Sequence, residues 1–287
     1  VSMESTLHVD GNSRFEASNS LQGSGGAISC EECGLMSFSG GTVFQSNSAQ
    51  KSGGAIYLSS PTKPIVSTGS KYKDNSATQL NGGAVDMHGG TNWTSIGDSF
   101  DGNVALSGSG GALSSFGSHI QFDAASLCVR NQAPKGGGGC LLWEPNAAHL
   151  KDSAWGKFAP VVSNLTVIQE NNALYGISFA TPGASLRIVN TTKMTTGKDN
   201  LLNPRFPKVE LLDWYGSTVR GAFAMNVDVT AKLRNSDAEL FGATSATIIH
   251  NTGEASSFQA LFSELGIQGV PRSGPHELFF ESLLDVA

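Results

Sequence analysis

The chain has 287 residues, 39% of them hydrophobic and only 15% charged, with 35 glycines. So little Lys and Glu, with so much Gly, Ser, Thr and Asn, argues against helical bundles and coiled coils and for an all-β chain of short strands joined by many turns. Eighteen Lys and Arg against 24 Asp and Glu give a formal charge of −6, without the basic stripe that nucleic-acid backbones require. No run approaches the ~20 apolar residues of a membrane helix, so no direct membrane span is expected in this segment, and the first residues lack the charged and apolar regions of a signal peptide.

The predicted elements follow a fixed repeat. FEASNS (15–20), FQSNSA (44–49), YKDNSA (72–77), FDGNVA (100–105) and CVRNQA (128–133) place Asn19, Asn47, Asn75, Asn103 and Asn131 at four intervals of 28. A second motif follows each: GGAI (25–28), GGAIYL (53–58), GGAV (82–85), GGAL (110–113) and GGCLL (138–142), at intervals of 28, 29, 28 and 28. A Gly-Gly pair in every unit is costly in a helix, and leucine-rich repeats need several Leu at fixed offsets that are missing here. A right-handed parallel β-helix fits, because 28 residues trace one coil of three short strands and their turns, stacked ~4.8 Å above the last.

Stacking assigns each motif a place. Phe15, Phe44, Tyr72 and Phe100 are expected to form an interior ring column, with Cys128 replacing the ring in the fifth coil. The repeated Asn turns inward to bridge the bend and its equivalents in neighbouring coils, since a buried amide must be satisfied. Ile28, Ile56, Val85, Leu113 and Leu141 make a second column. IQENNA (168–173) reads as a sixth coil, with Asn171 in phase 40 residues after Asn131. The 12 extra residues are placed in a loop over 141–160, and 191–204 reads as a linker.

The FxxN and GGA(I/L/V) motif pair resembles the repeat of the chlamydial polymorphic outer membrane proteins, which is also found in large surface proteins of algae and protists. The resemblance covers about residues 15–177. It implies a parallel β-helix displayed at a cell surface, for contact rather than catalysis. Nothing here resembles the outer-membrane barrel that ends the bacterial proteins.

From Arg205 the pattern becomes alternating: Phe223, Met225, Val227, Val229, Ala231 and Leu233 share the phase of a half-buried strand. KVELLDWYGSTV (208–219) reads as a strand and a turn. Residues 205–287 suggest a small β-sandwich whose LLDWYG and final LFF strand resemble immunoglobulin-like modules of surface proteins. That resemblance implies a spacer or interaction module. The domains are thus expected at 1–204 and 205–287.

Candidate chemistry is sparse. Cys30 and Cys33 have a redox or metal spacing, but a zinc site needs a second close Cys or His pair. Disulfides within coils, above all Cys128 with Cys140, are weighed against buried thiols. Gly136 to Gly139 has no following Lys-Ser/Thr and reads as a turn. Asp98, Asp101 and Asn103 are weak calcium candidates because Asn103 belongs to the inward column. No cofactor or metal is expected. Asn92, Asn164 and Asn190 head sequons in or near loops, open to glycosylation in a eukaryote. An enzyme acting on polysaccharide needs carboxylates clustered on one face; Asp74 and Asp101 fall out of phase, and Asp86 with His88 is an isolated pair.

The sequence therefore reads as a non-enzymatic extracellular structural protein, a stiff β-helix subunit of a surface filament or coat such as a flagellar hair. Its partners are other copies of itself, other subunits or glycans. An adhesin for a host receptor or glycan is the main alternative, and a polysaccharide lyase or hydrolase the other.

Overall fold

Strand residues recur at the coil period and pair with their own equivalents. In a computed structural model that describes residues 6–145, 155–189, 195–196, 202–203, 207–221, 226–234, 238–248, 259–268 and 276–282, the chain forms two units, Val1–Pro182 and Gly183–Ala287.

The first unit is a parallel β-solenoid of four six-stranded sheets, each coil giving one strand to each sheet. In the second rung these strands are Met36–Phe38, Val43–Gln45, Ser48–Ala49 and Ile56–Ser59. Stacking is in register: Phe15, Phe44, Tyr72, Phe100, Cys128 and Ile168 are successive partners in the second sheet. Ile28, Ile56, Val85, Leu113, Leu141 and Phe179 are successive partners in the fourth.

The coil has four strands where three were expected. The residue before each ladder Asn adopts a left-handed backbone, with φ of 53° at Ser46, 52° at Asp74, 68° at Gly102, 56° at Arg130 and 55° at Glu170. That kink divides a single strand into the second and third sheets. The second glycine of each pair solves a different problem, because a Cβ on Gly83 would lie 2.0 Å from the Gly111 carbonyl oxygen.

Alternation fills the interior. Phe44, Tyr72 and Phe100 are fully buried, as are Phe38, Trp93 and Phe122 on the first sheet. Phe15, Phe44, Tyr72 and Phe100 stack with centroids 4.8, 5.1 and 4.6 Å apart and planes within 8°. In the fifth coil Cys takes both the ring position and the alanine position of GGA. Cys128 and Cys140 are bonded there, their Cα atoms 5.9 Å apart, and Cys30 is bonded to Cys33. Replacing Cys128 and Cys140 together by alanine is expected to cost about 2–3 kcal/mol, from freeing a short loop in the unfolded chain. A thermal melt should show a fall of about 5–10 °C.

The loop expected over 141–160 begins later. Leu141–Glu144 is a strand of the fourth sheet, because Trp143 points inward and fills the core. Trp143 is 1% and Trp155 7% exposed, and their rings meet edge to face at 5.7 Å. Trp155–Phe158 forms one helical turn.

The second unit consists, among the described residues, of small antiparallel sheets. Lys208–Leu212 lies between Ser185–Ile188 and Gln259–Leu261, so the run at 185–188 pairs outside the solenoid. Val227–Arg234 lies between Ser245–Ile248 and Glu277–Ser282, with Val227, Val229 and Ala231 buried. Phe223 and Met225 lie outside the described residues. Asp213 accepts the Ser217 N–H at 2.7 Å, closing the turn that follows Lys208–Leu212.

Candidate functional site

The repeated Asn builds a continuous amide ladder inside the solenoid. Asn75 donates its backbone N–H and its Nδ2 to Asn103 Oδ1, at 3.0 and 2.9 Å, and a second Nδ2 bond to the Phe44 carbonyl at 2.9 Å. Asn47, Asn103 and Asn131 repeat this arrangement. Asn171 closes it on the Cys128 carbonyl at 2.9 Å. Every Oδ1 from Asn75 to Asn171 thus accepts two bonds from the rung before, so each buried amide is satisfied by its neighbours.

Asn19 does not belong to this ladder, although its interval of 28 placed it there. In FEASN the Asn stands four residues after the ring rather than three, so Ser18 takes the ladder phase and donates its N–H to Asn47 Oδ1 at 3.0 Å. Asn19 pairs instead with Ser48 on the exposed outer side.

A second cluster lies on the outer face of the fourth sheet. Tyr57, Asp86, Ser114 and Leu142 are successive partners, as are Ser59, His88, Phe116 and Glu144 one pleat along. Asp86 is fully buried, and its Oδ2 lies 3.0 Å from His88 Nε2. His88 stacks on Phe116 at 4.8 Å and leans on Tyr57 at 5.8 Å. Asp86 Oδ1 and Ser114 Oγ are buried without a hydrogen-bond partner among the described residues.

The electrostatics of this face favour protons. Burial lifts the Glu144 carboxyl to about 7, with the His88 charge pulling the other way. Burial disfavours the charged His88 ring, but the Asp86 hydrogen bond and the Asp86 and Glu144 charges outweigh it and raise its pKa. Burial, then the Asp86 charge, raises the Tyr57 hydroxyl. A carboxyl whose folded pKa is raised stabilises the fold below its unfolded pKa of 4.5 and loses that contribution as pH rises through 7. Glu144→Gln is therefore expected to melt with wild type at pH 4.5 and several degrees above it at pH 8. Equal melting at pH 8 contradicts the assignment.

The remaining candidates separate. Asp98 is enclosed in the interior, Asp101 pairs outward with Arg130, and Asn103 lies in the ladder, so the three share no cation. Asp74 is exposed beside Lys73. Among the described residues no three His, Cys, Asp or Glu side chains gather as a metal site. Asn92 and Asn164 are exposed, and Asn190 lies outside the described residues. No helix among the described residues is long and apolar enough to cross a membrane.

Residues 41–59, which contain FQSN and GGAI, match the family model of the Chlamydia polymorphic membrane protein (Chlamydia_PMP) repeat. No curated protein and no solved structure matches the chain. The match and the solenoid together fit a β-helix repeat protein of the polymorphic-membrane-protein type. A repeat of this type suggests a surface-exposed protein with a structural or adhesin-like role.

Proposed function

We propose that the chain is a non-enzymatic extracellular structural protein, a stiff β-helix subunit of a cell-surface coat or filament such as a flagellar hair. The observation that supports this most is the unbroken amide ladder from Asn47 to Asn171, locked to the ring column beside it. Such a ladder couples each rung to the next, giving a rod that resists bending and local opening. The second unit serves as an immunoglobulin-like spacer, and the partners are copies of this chain or other subunits of the assembly. Glycans on Asn92 and Asn164 are compatible with this role, because both side chains are exposed.

The adhesin reading gains support from the outer face of the fourth sheet, where the His88 side chain is 42% exposed beside Tyr57 and Phe116. Immunogold electron microscopy on the native surface distinguishes the two readings. Label at regular spacing along filaments or a lattice supports the structural subunit. Isolated label, with receptor binding lost in His88→Ala, supports the adhesin instead.

A further inference from the structure

A column of hydroxyl residues runs through the corner between the first and second sheets. The residue before each second-sheet strand is Ser13, Thr42, Ser70, Asp98, Ser126 or Thr166, and the carbonyl of each of the first five receives the N–H that starts the strand of the next rung. One rung of the six carries a carboxyl where the others carry a hydroxyl. Thr42, Ser70, Asp98 and Ser126 are completely buried.

The surroundings of Asp98 are hydroxylic and uncharged. Its Oδ1 accepts the Ser70 N–H at 2.7 Å, and its Oδ2 lies 2.7 Å from Ser95 Oγ. Ser126 Oγ is 3.5 Å from Ser95 Oγ, and Ser67 Oγ is 2.9 Å from the Tyr72 hydroxyl. Tyr72 is the titratable group that faces Asp98, and its own pKa is raised well above 10, first by burial and then by the Asp98 charge. Lys71, Asp101 and Asp123, on the flanking strands, belong to the outer side of the wall. Among the described residues Asp98 has no ion-pair partner, and an enclosed carboxylate without a cation is costly.

We infer that the Asp98 corner is a proton-operated lock: the side chain stands in the hydroxyl column as a neutral acid, and loss of its proton places a charge inside the solenoid that loosens the third to fifth rungs. Ser13, Thr42 and Ser126 each donate their hydroxyl to the residue three before them, and a neutral Asp98 supplies the same kind of O–H donor, within reach of Ser95 Oγ, three residues before it. Burial accordingly lifts the Asp98 carboxyl to about 6, against the opposing bonds from Ser95, Ser70 and Ser67. With the folded pKa above the unfolded 3.8, the stabilisation is complete below that value and is lost as pH rises through 6. A rod built this way tightens on acidification, opposite to the usual acid unfolding of proteins with salt-bridged carboxylates. The inference does not depend on the surface role proposed above.

The test uses the full chain with Glu144→Gln as background, so that the outer-face carboxyl does not contribute. Melting temperatures are compared from pH 4.5 to 8 with and without Asp98→Asn and Asp98→Ser, the latter completing the hydroxyl column. Both variants are expected to gain on their parent as the pH rises, from a small difference at pH 4.5 to about 5 °C or more above it at pH 8. A gap that does not change with pH, or a parent more stable than both variants at pH 8, overturns the lock. If neither variant folds, the Asp98 carboxyl carbon is followed by NMR in the parent. A midpoint near 6 upholds the inference, and one at or below 4 overturns it.

Discussion

Asn103→Ala is expected to lower the stability of the solenoid by about 4–6 kcal/mol, read as a fall in the denaturant midpoint. The side chain gives Nδ2 bonds to the Tyr72 carbonyl at 2.8 Å and to Asn131 Oδ1 at 2.9 Å, and its Oδ1 accepts the backbone N–H and Nδ2 of Asn75. Truncation leaves the two Asn75 donors and the Tyr72 carbonyl short of partners inside the core, at about 1–3 kcal/mol for each buried polar group left unsatisfied. Whole domains are stable by about 5–15 kcal/mol, so one ladder residue decides whether this unit folds. Asn19→Ala is the matched control. Asn19 has the same interval in the sequence but lies exposed and outside the ladder, so its loss is expected to fall within about 0.5 kcal/mol. Equal losses for the two variants contradict the ladder.

Gly83→Ala is expected to be as damaging, for a steric reason. The added methyl meets the Gly111 oxygen at 2.0 Å and the Val104 backbone at 2.6 Å. Backbone cannot move aside as a flexible side chain does, so the third and fourth rungs must separate and give up ladder bonds on either side. A loss above about 4 kcal/mol, or failure to fold, is the expected result. Gly90 provides the contrast, since its nearest atom to an added methyl is 4.0 Å away. Gly90→Ala is expected to melt within about 2 °C of wild type.

The coil period, the ring column and the inward Asn were legible because stacking forces equal residues to equal phase. Phe44, Tyr72 and Phe100 then need only counting. Asn19 was misplaced because its interval to Asn47 was counted and its distance from Phe15 was not, although that distance puts Ser18 in phase. The fourth strand of each coil left no mark in composition, since the kinked position is Ser46, Asp74, Gly102, Arg130 or Glu170 in different rungs. A backbone conformation that five residue types adopt is set by the ladder around it, not by local propensity. The outer-face cluster was half legible. Asp86 and His88 were visible as a pair, but Glu144 stood in a segment that its Pro145 and Trp143 made look like a loop. Trp143 is a core residue, and recognising it as inward places Glu144 outward, in phase with His88 and Phe116. The burial of Asp98 had one signal, a carboxyl in a column otherwise filled by Ser and Thr.

Spin-label distances along the second sheet test the stacked 28-residue register most directly. Glu16, Gln45, Lys73, Asp101, Val129 and Gln169 are successive partners, so labels on Glu16 and Val129 stand four rungs apart and labels on Glu16 and Gln169 five. With rungs ~4.8 Å apart, the expected backbone separations are about 19 and 24 Å, rising by one rung between the two pairs. Distances that do not increase by about one rung, or a Glu16–Gln169 separation much longer than five rungs, contradict the solenoid.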